Sequence, residues 1–274
     1  MVLTPEQKFA LKRLIIYAAA VVVAMWILTP IALITISAFA DPEDYYNIHK
    51  ILPTKFTTRN VEDLLFVLKG WICVLNSVIV ALLTIAISFA LGLPAGYALA
   101  RYVFPGRDSI KLLIIALRMF PVMTMAVPLA VLYIELGLSD TLLGVALAHT
   151  SMALPFVVLI TSSIFVSVPV EYEEAGMVFG LSRTEVFFKI TLPLALPGLA
   201  AAAIFTFIMS WNEVFIASVL TLVNRTLPAD ILVSAMAAPD PYKFAGGFIM
   251  VLPAMIFVFI ARKYLVTMWG ITLK

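Results

Sequence analysis

Few ionisable side chains stand where chemistry could be done. Arg118 and Glu213 lie inside long apolar segments, Glu213 closing the run Trp211-Asn212-Glu213. A charge at the bilayer centre costs roughly 2.5–3.5 kcal/mol on insertion scales, so both must face a helix bundle or water. Either they line a solute pathway, with Asn212 offering hydrogen bonds and Trp211 an apolar face for a sugar ring, or they make ion pairs and hydrogen bonds between helices or subunits. His149 has no companion at metal-ligand spacing, the other histidine being His49, and reads as a satisfied structural residue. Cys73, the single cysteine, excludes a disulfide framework and a multi-cysteine zinc site and reads as a small apolar filler. Met119, Met123 and Met125 read as adaptable packing beside Pro121. The chain has no His-Glu-x-x-His or Gly-x-Ser-x-Gly constellation, so it lacks the residues of a membrane protease or esterase. It also lacks a Gly-x-x-x-x-Gly-Lys phosphate loop, and even a Gly-Lys dipeptide, so it cannot cradle ATP in that way.

The elements that position these residues follow from composition. Of 274 residues, 63% are hydrophobic and 12% charged, with mean hydropathy +1.09, against about 45–50% and about 25% in a typical soluble domain. That excludes a soluble enzyme or a nucleic-acid binder. The net charge of +2 is too balanced for a polyanionic partner. Six segments, about 14–38, 72–99, 110–133, 142–166, 196–222 and 245–264, reach the roughly 20 apolar residues that cross a bilayer. They are too long for barrel strands and lack the alternation of such strands. Helices are the other way to satisfy backbone groups in lipid. The expectation is an all-α integral membrane protein, a bundle of six transmembrane helices. The first apolar run, Leu14 to Ala40, exceeds the apolar core of a signal peptide and is read as a retained span.

Orientation follows the basic residues. With the N-terminus inside, Lys8, Lys12, Arg13, Arg101, Arg107, Lys111, Arg183, Lys189, Arg262, Lys263 and Lys274 fall on the inner side. Lys50, Lys55, Arg59, Lys69, Arg225 and Lys243 fall outside. Eleven against six places both termini in the cytoplasm. Thr4-Pro5-Glu6-Gln7 is a helix-start signature and predicts a short amphipathic helix on the inner surface before the first span. An outer loop from Asp41 to Gly70 has room for a short helix near Thr58–Leu68; shorter outer connections cover about 134–141 and 223–244. No internal repeat supports an inverted-repeat secondary transporter. Pro94, Pro121, Pro128, Pro155, Pro193, Pro197 and Pro253 lie in or beside spans and read as packing shape before moving hinges.

One inner segment, 169–193, parses into two short helices. Pro169 starts the first, with Glu171, Glu173 and Glu174 early, where they suit the helix dipole. Gly180 stands where a left-handed stop is needed. Ser182-Arg183-Thr184-Glu185 is a capping box opening a second helix, expected to end at Pro193. Periodicity leaves two readings open: a connector resting on the membrane, or a docking surface whose apolar side chains enter a partner's groove.

Glu174-Ala175-Gly176, Gly180 six residues after the glutamate, and Ile190-Thr191-Leu192-Pro193 resemble the EAA loop of ABC-importer membrane subunits. Asn76-Ser77, Gly92-Leu93-Pro94-Ala95-Gly96-Tyr97-Ala98-Leu99-Ala100-Arg101, Phe104-Pro105-Gly106-Arg107, Met119-Phe120-Pro121, Trp211-Asn212-Glu213 and Arg262-Lys263-Tyr264 are similar to the permeases of binding-protein-dependent carbohydrate importers, the smaller maltose-permease subunit among them. The match runs in order over about 71–266. It departs at Gly176, where the family usually has a second alanine, and at Phe179, where it usually has an aspartate. The resemblance implies a non-catalytic subunit that pairs with a second permease subunit and two ATP-binding subunits, a homodimer, and receives solute from an extracellular binding protein. ATP and Mg²⁺ would sit on the ATPase subunits and no cofactor on this chain. Glu174, Ala175, Gly176, Gly180, Leu181 and Ser182 would form the coupling loop. Arg118, Trp211, Asn212 and Glu213 would be candidates for the solute pathway. The loop around 223–247 would reach the docked binding protein, unless it is an ordinary surface turn. Three regions result: 1–70 with the amphipathic segment, first span and outer loop; the 71–266 transmembrane core; and a 267–274 cytoplasmic tail. The setting implied is a prokaryotic cell membrane. The solute would be a sugar or, alternatively, a polyol or glycerol phosphate. A self-contained secondary transporter would need an ion-coupling cluster beyond Arg118 and Glu213.

Overall fold

Helices form where the apolar runs stand. The computed structural model describes residues 5–234 and 238–268. In chain order the helices are α1 (Pro5–Ala38), α2 (Pro42–Tyr45), α3 (Arg59–Glu62), α4 (Gly70–Arg101), α5 (Arg107–Leu117), α6 (Val122–Glu135), α7 (Leu142–Ser167), α8 (Val170–Val178), α9 (Arg183–Val186), α10 (Leu192–Trp211), α11 (Phe215–Leu220), α12 (Leu227–Ser234) and α13 (Asp240–Met268). Two π-turns, Asp63–Val67 and Phe187–Thr191, continue α3 and α9. Strand-like pairing among the described residues is a single bridge between Ala40 and Phe56.

The chain divides into two compact units. One holds α1, the segment to Leu68 and the start of α13 to Val251; the other runs from Lys69 onward and takes the rest of α13. In the first unit the loop after α1 is built on polar anchors. Asp41 caps α2 by accepting from the Glu43 and Asp44 N–H groups. The buried Asp44 carboxylate accepts from the Lys50 ammonium and from the Thr54 and Lys55 N–H groups, which hold it well below the usual carboxylate range. The Asn60 amide donates to the Ala38 and Ala40 carbonyls at 3.0 and 2.7 Å. Phe39 meets Phe248 edge to face, and the Tyr242 hydroxyl donates to Asp63 at 3.0 Å.

In the second unit α4 packs along α7, and α10 lies against both. A side chain at Gly92 or Gly96 would strike Val157 or Thr161 of α7, so these two glycines set the close approach of the helices. Hydroxyls tie the contact further: Thr161 Oγ1 donates to its own helix at Val157 O and lies 3.3 Å from Gly92 O. Apolar residues fill both ends, Val145, Ala146, Ile216 and Ala217 in one cluster and Phe165, Val168, Ala195 and Leu199 in the other.

Among the described residues four helices are long and apolar enough to cross a membrane: Leu11–Ala38, Gly70–Arg101, Leu142–Ser167 and Arg183–Trp211. The expected span at 110–133 is instead α5 and α6, bent by 88° at residues 118–121. Pro121 explains the break, because it lacks an N–H and adopts an extended conformation (ψ 119°) ahead of α6. Counted as one broken span, the pair raises the number to five. The segment expected at 196–222 also breaks, at Asn212–Val214, between α10 and α11. α13 covers the last expected segment, 245–264.

Two further expectations are corrected. No separate surface helix precedes the first span: α1 is uninterrupted from Pro5 to Ala38, since residues 6–13 hold no helix breaker. Thr4 and the tail beyond Met268 lie outside the described residues. The helix opened by Ser182 does not stop at Pro193 but runs on to Trp211. Its π-turn donates Leu192 N–H to the carbonyl of Phe187, five residues back, and the widened turn accommodates the proline ring that an α-turn would exclude. The helical stretch expected near 58–68 is present as α3 and its π-turn.

Candidate functional site

The 169–193 loop is built by capping chemistry. Gly180 adopts φ +89°, a left-handed stop that costs a glycine nothing. Ser182 and Glu185 then cap α9 reciprocally, Ser182 Oγ accepting from the Glu185 N–H and the Glu185 carboxylate from the Ser182 N–H at 3.0 Å. Lys189, at 2.8 Å, and the Ser182 groups push the Glu185 carboxyl down to about 2.

Behind the loop stands a cluster that spacing does not reveal. Glu173, 4% exposed, accepts from Arg101 Nε at 2.8 Å, the Tyr97 hydroxyl at 2.8 Å and the Thr191 hydroxyl at 2.9 Å. Arg101 also donates to Val168 O. Burial opposes the charge on Glu173, but these donors outweigh it and keep the carboxyl below its ordinary range. One side chain thus joins the end of α4, helix α8 and the π-turn that leads into α10. Its partners are 72, 76 and 18 residues away, separations that no motif links. The available signal was local: a glutamate directly before Glu174, and an arginine ending a span.

Glu174 and Ala175 face outward, and Glu174 lines a cleft of about 160 Å³ with Arg101, Tyr102, Met177 and Arg183. Gly176 is buried, and a methyl there would press on the end of the Ile190 side chain, which accounts for glycine at this position. Leu181 is partly buried and Ser182 exposed. Val178 (85% exposed) and Phe179 (88% exposed) form an apolar tip. Phe187 by contrast is tucked against Tyr97 and Phe165.

The residues inside apolar segments gather at the two helix breaks. Arg118 ends α5, exposed, with its guanidinium 3.1 Å above the Phe156 ring; Phe156 meets Phe205 of α10 edge to face. Glu213 is held elsewhere: it pairs with His149 Nε2 at 3.1 Å and accepts from the Ile216 and Ala217 N–H groups at 2.8 and 3.0 Å. His149, fully buried, also meets Ser210 Oγ at 2.8 Å through Nδ1, so both ring nitrogens are partnered. Trp211 is buried and stacked on Phe207, whereas Asn212 is exposed. Trp211, Asn212 and Glu213 are therefore neighbours in sequence with three different environments. Among the described residues no group of three or more His, Cys, Asp or Glu could hold a metal ion.

Loop, helix bundle and broken spans together are those of a membrane component of a transport machine. Residues 92–268 match the family described as binding-protein-dependent transport system inner membrane component, and the chain belongs to it. Among its relatives is the trehalose transport system permease protein SugB of Mycobacterium tuberculosis, 29% identical over 226 residues, 79% of this chain and 81% of the relative. Another is the osmoprotective compounds uptake permease protein GgtD of Synechocystis, 33% identical over 79% of this chain and 74% of the relative. The fold is similar to that of a chain in the crystal structure of a bacterial ABC transporter involved in the import of the acidic polysaccharide alginate: TM-score 0.77, 19% identity, covering 96% of this chain and 99% of that one.

Proposed function

We propose that this chain is one membrane subunit of an ATP-driven importer in a prokaryotic cell membrane, forming half of the pathway for a sugar delivered by an external binding protein. The chain crosses six times, the α5–α6 pair and α13 among the spans, and the basic residues of the inner segments support termini in the cytoplasm. There α8 enters a groove of an ATP-binding subunit that carries the nucleotide and Mg²⁺. Closure of two such subunits draws the coupling loops of the two permeases together and turns the bundle from inward- to outward-facing. The sugar assignment draws support from relatives named for trehalose, diacetylchitobiose and alpha-glucoside transport. In the pathway Arg118 and Asn212, both exposed, meet the solute, while the buried Trp211 and the His149-bound Glu213 flank Asn212 at the α10–α11 break.

The observation that carries this reading is the loop itself: an exposed Val178–Phe179 tip on a helix whose other face is locked by Glu173. Rigid support beneath an exposed apolar tip suits a helix that fits a partner's groove. The test is purification of the tagged chain from its native membrane in mild detergent. Wild-type chain should bring down an ATP-binding subunit and a second permease, and Phe179→Ser should lose most of the former at unchanged thermal stability. Recovery of the chain alone, in membranes where known complexes survive, would sink the proposal.

A further inference from the structure

The break between α10 and α11 is held by side chains in place of backbone. Glu213 supplies the acceptor for the first free N–H groups of α11, at Ile216 and Ala217, and Ile216 and Ala217 are themselves buried. At the far end of α11 the Asp140 carboxylate accepts from the Leu222, Val223 and Asn224 N–H groups at 2.8, 3.0 and 2.9 Å. Asp140 directly precedes α7, and His149 stands on α7. α11 is therefore tied at both ends to α7 or its lead-in, although its chain connection is to α10.

α10 links the coupling loop to the same histidine. Thr191, just ahead of it, donates to Glu173 beneath the coupling loop, and Ser210 in its last turn touches His149. The helix between them spans about 28 Å at roughly 1.5 Å per residue. A displacement at the loop must be taken up where α10 ends, at Asn212–Val214. His149 sits across that joint, one ring nitrogen on Ser210 of α10 and the other on Glu213. The Glu213 carboxylate accepts from Nε2, and Nδ1 meets the Ser210 hydroxyl.

We propose that His149 and Glu213 are positioning residues of the transport cycle: a pin across the α10–α11 joint that sets the angle of α11 for a given position of α10. The proposal rests on the importer reading above. Without Glu213 the buried N–H groups of α11 lose their acceptor, and without His149 the link from Glu213 to Ser210 is cut; in either case the joint no longer follows α10. A lost partner of this kind shifts a two-state equilibrium by on the order of tenfold.

The test uses the full complex with its ATP-binding subunits in nanodiscs, in a Cys73→Ser background with a single reporter, Val219→Cys. Val219 is exposed on α11. Its rate of labelling by a membrane-impermeant maleimide is compared between the nucleotide-free and the ATP–vanadate-trapped complex. With His149 and Glu213 intact the two rates should differ by about tenfold; in His149→Leu and Glu213→Ala they should fall within about twofold of each other. His149→Gln, which keeps a hydrogen-bonding group, should restore much of the difference, a rescue that a purely structural histidine would not produce in this readout. If His149→Leu does not assemble, Glu213→Ala and His149→Gln decide. Equal state dependence in all variants overturns the pin, as does an unchanging rate in a wild-type complex that hydrolyses ATP. A wild-type complex with no ATP hydrolysis overturns the importer reading instead.

Discussion

At the scale of single residues, Glu173 decides more than the glutamate beside it. Glu174 faces outward, whereas Glu173 is buried among Arg101, Tyr97 and Thr191. Arg101→Met leaves that carboxylate without its cation, and Glu173→Gln leaves the guanidinium without its anion. Each should cost about 1–3 kcal/mol, read as earlier thermal unfolding of the detergent-solubilised complex. The pH dependence has a definite sign. With the folded-state carboxyl below its ordinary value of 4.5, the stabilisation is complete above 4.5 and is lost as pH falls through the lowered value. The gap in unfolding temperature between wild type and Glu173→Gln should therefore narrow on acidification. A gap that stays constant down to strongly acid pH would show that the charge on Glu173 contributes nothing.

At the scale of elements, the α8–α9 corner is fixed by backbone chemistry. Nothing lies within 4 Å of a methyl placed on Gly180, so Gly180→Ala meets only the left-handed backbone cost, about 1–2 kcal/mol. Ser182→Ala removes the other half of the corner, at about 0.5–2 kcal/mol. Both losses are local to the loop. Capture of the ATP-binding subunit should fall several-fold in either variant, while solubilised bundle yield stays the same. A fall in bundle yield with intact capture would place the role of the corner in folding. The broken spans have distinct causes: a proline without a donor at 121, and at 213 a carboxylate that takes the N–H groups of the next turn.

For the whole molecule, orientation is the testable property. Ile51 and Phe179 are both exposed, and the proposed topology has them on opposite sides of the membrane. In a Cys73→Ser background, Ile51→Cys should react with an impermeant maleimide on intact spheroplasts, and Phe179→Cys only after permeabilisation. The reverse pattern would invert the topology. Within its own compact unit α1 leaves Trp26 and most of its apolar neighbours exposed.

Sequence alone determined whatever depends on local periodicity and capping. The apolar runs at 14–38, 72–99 and 142–166, the Gly180 stop and the Ser182–Glu185 box are encoded in contiguous residues, and each appears where the residues place it. It did not determine where long helices break or continue. A proline can bend a span, as at 121, or be absorbed by a π-turn, as at 193, and the difference lies in how the turns around it are hydrogen-bonded and packed. Nor could it join Arg101 to Glu173 or His149 to Glu213, because pairs 72 and 64 residues apart meet only when α4, α7 and α10 pack. Glu213 makes the point most directly. A charge in an apolar segment had to be satisfied, which is a property of the solvent, but which partner satisfies it was decided by tertiary structure.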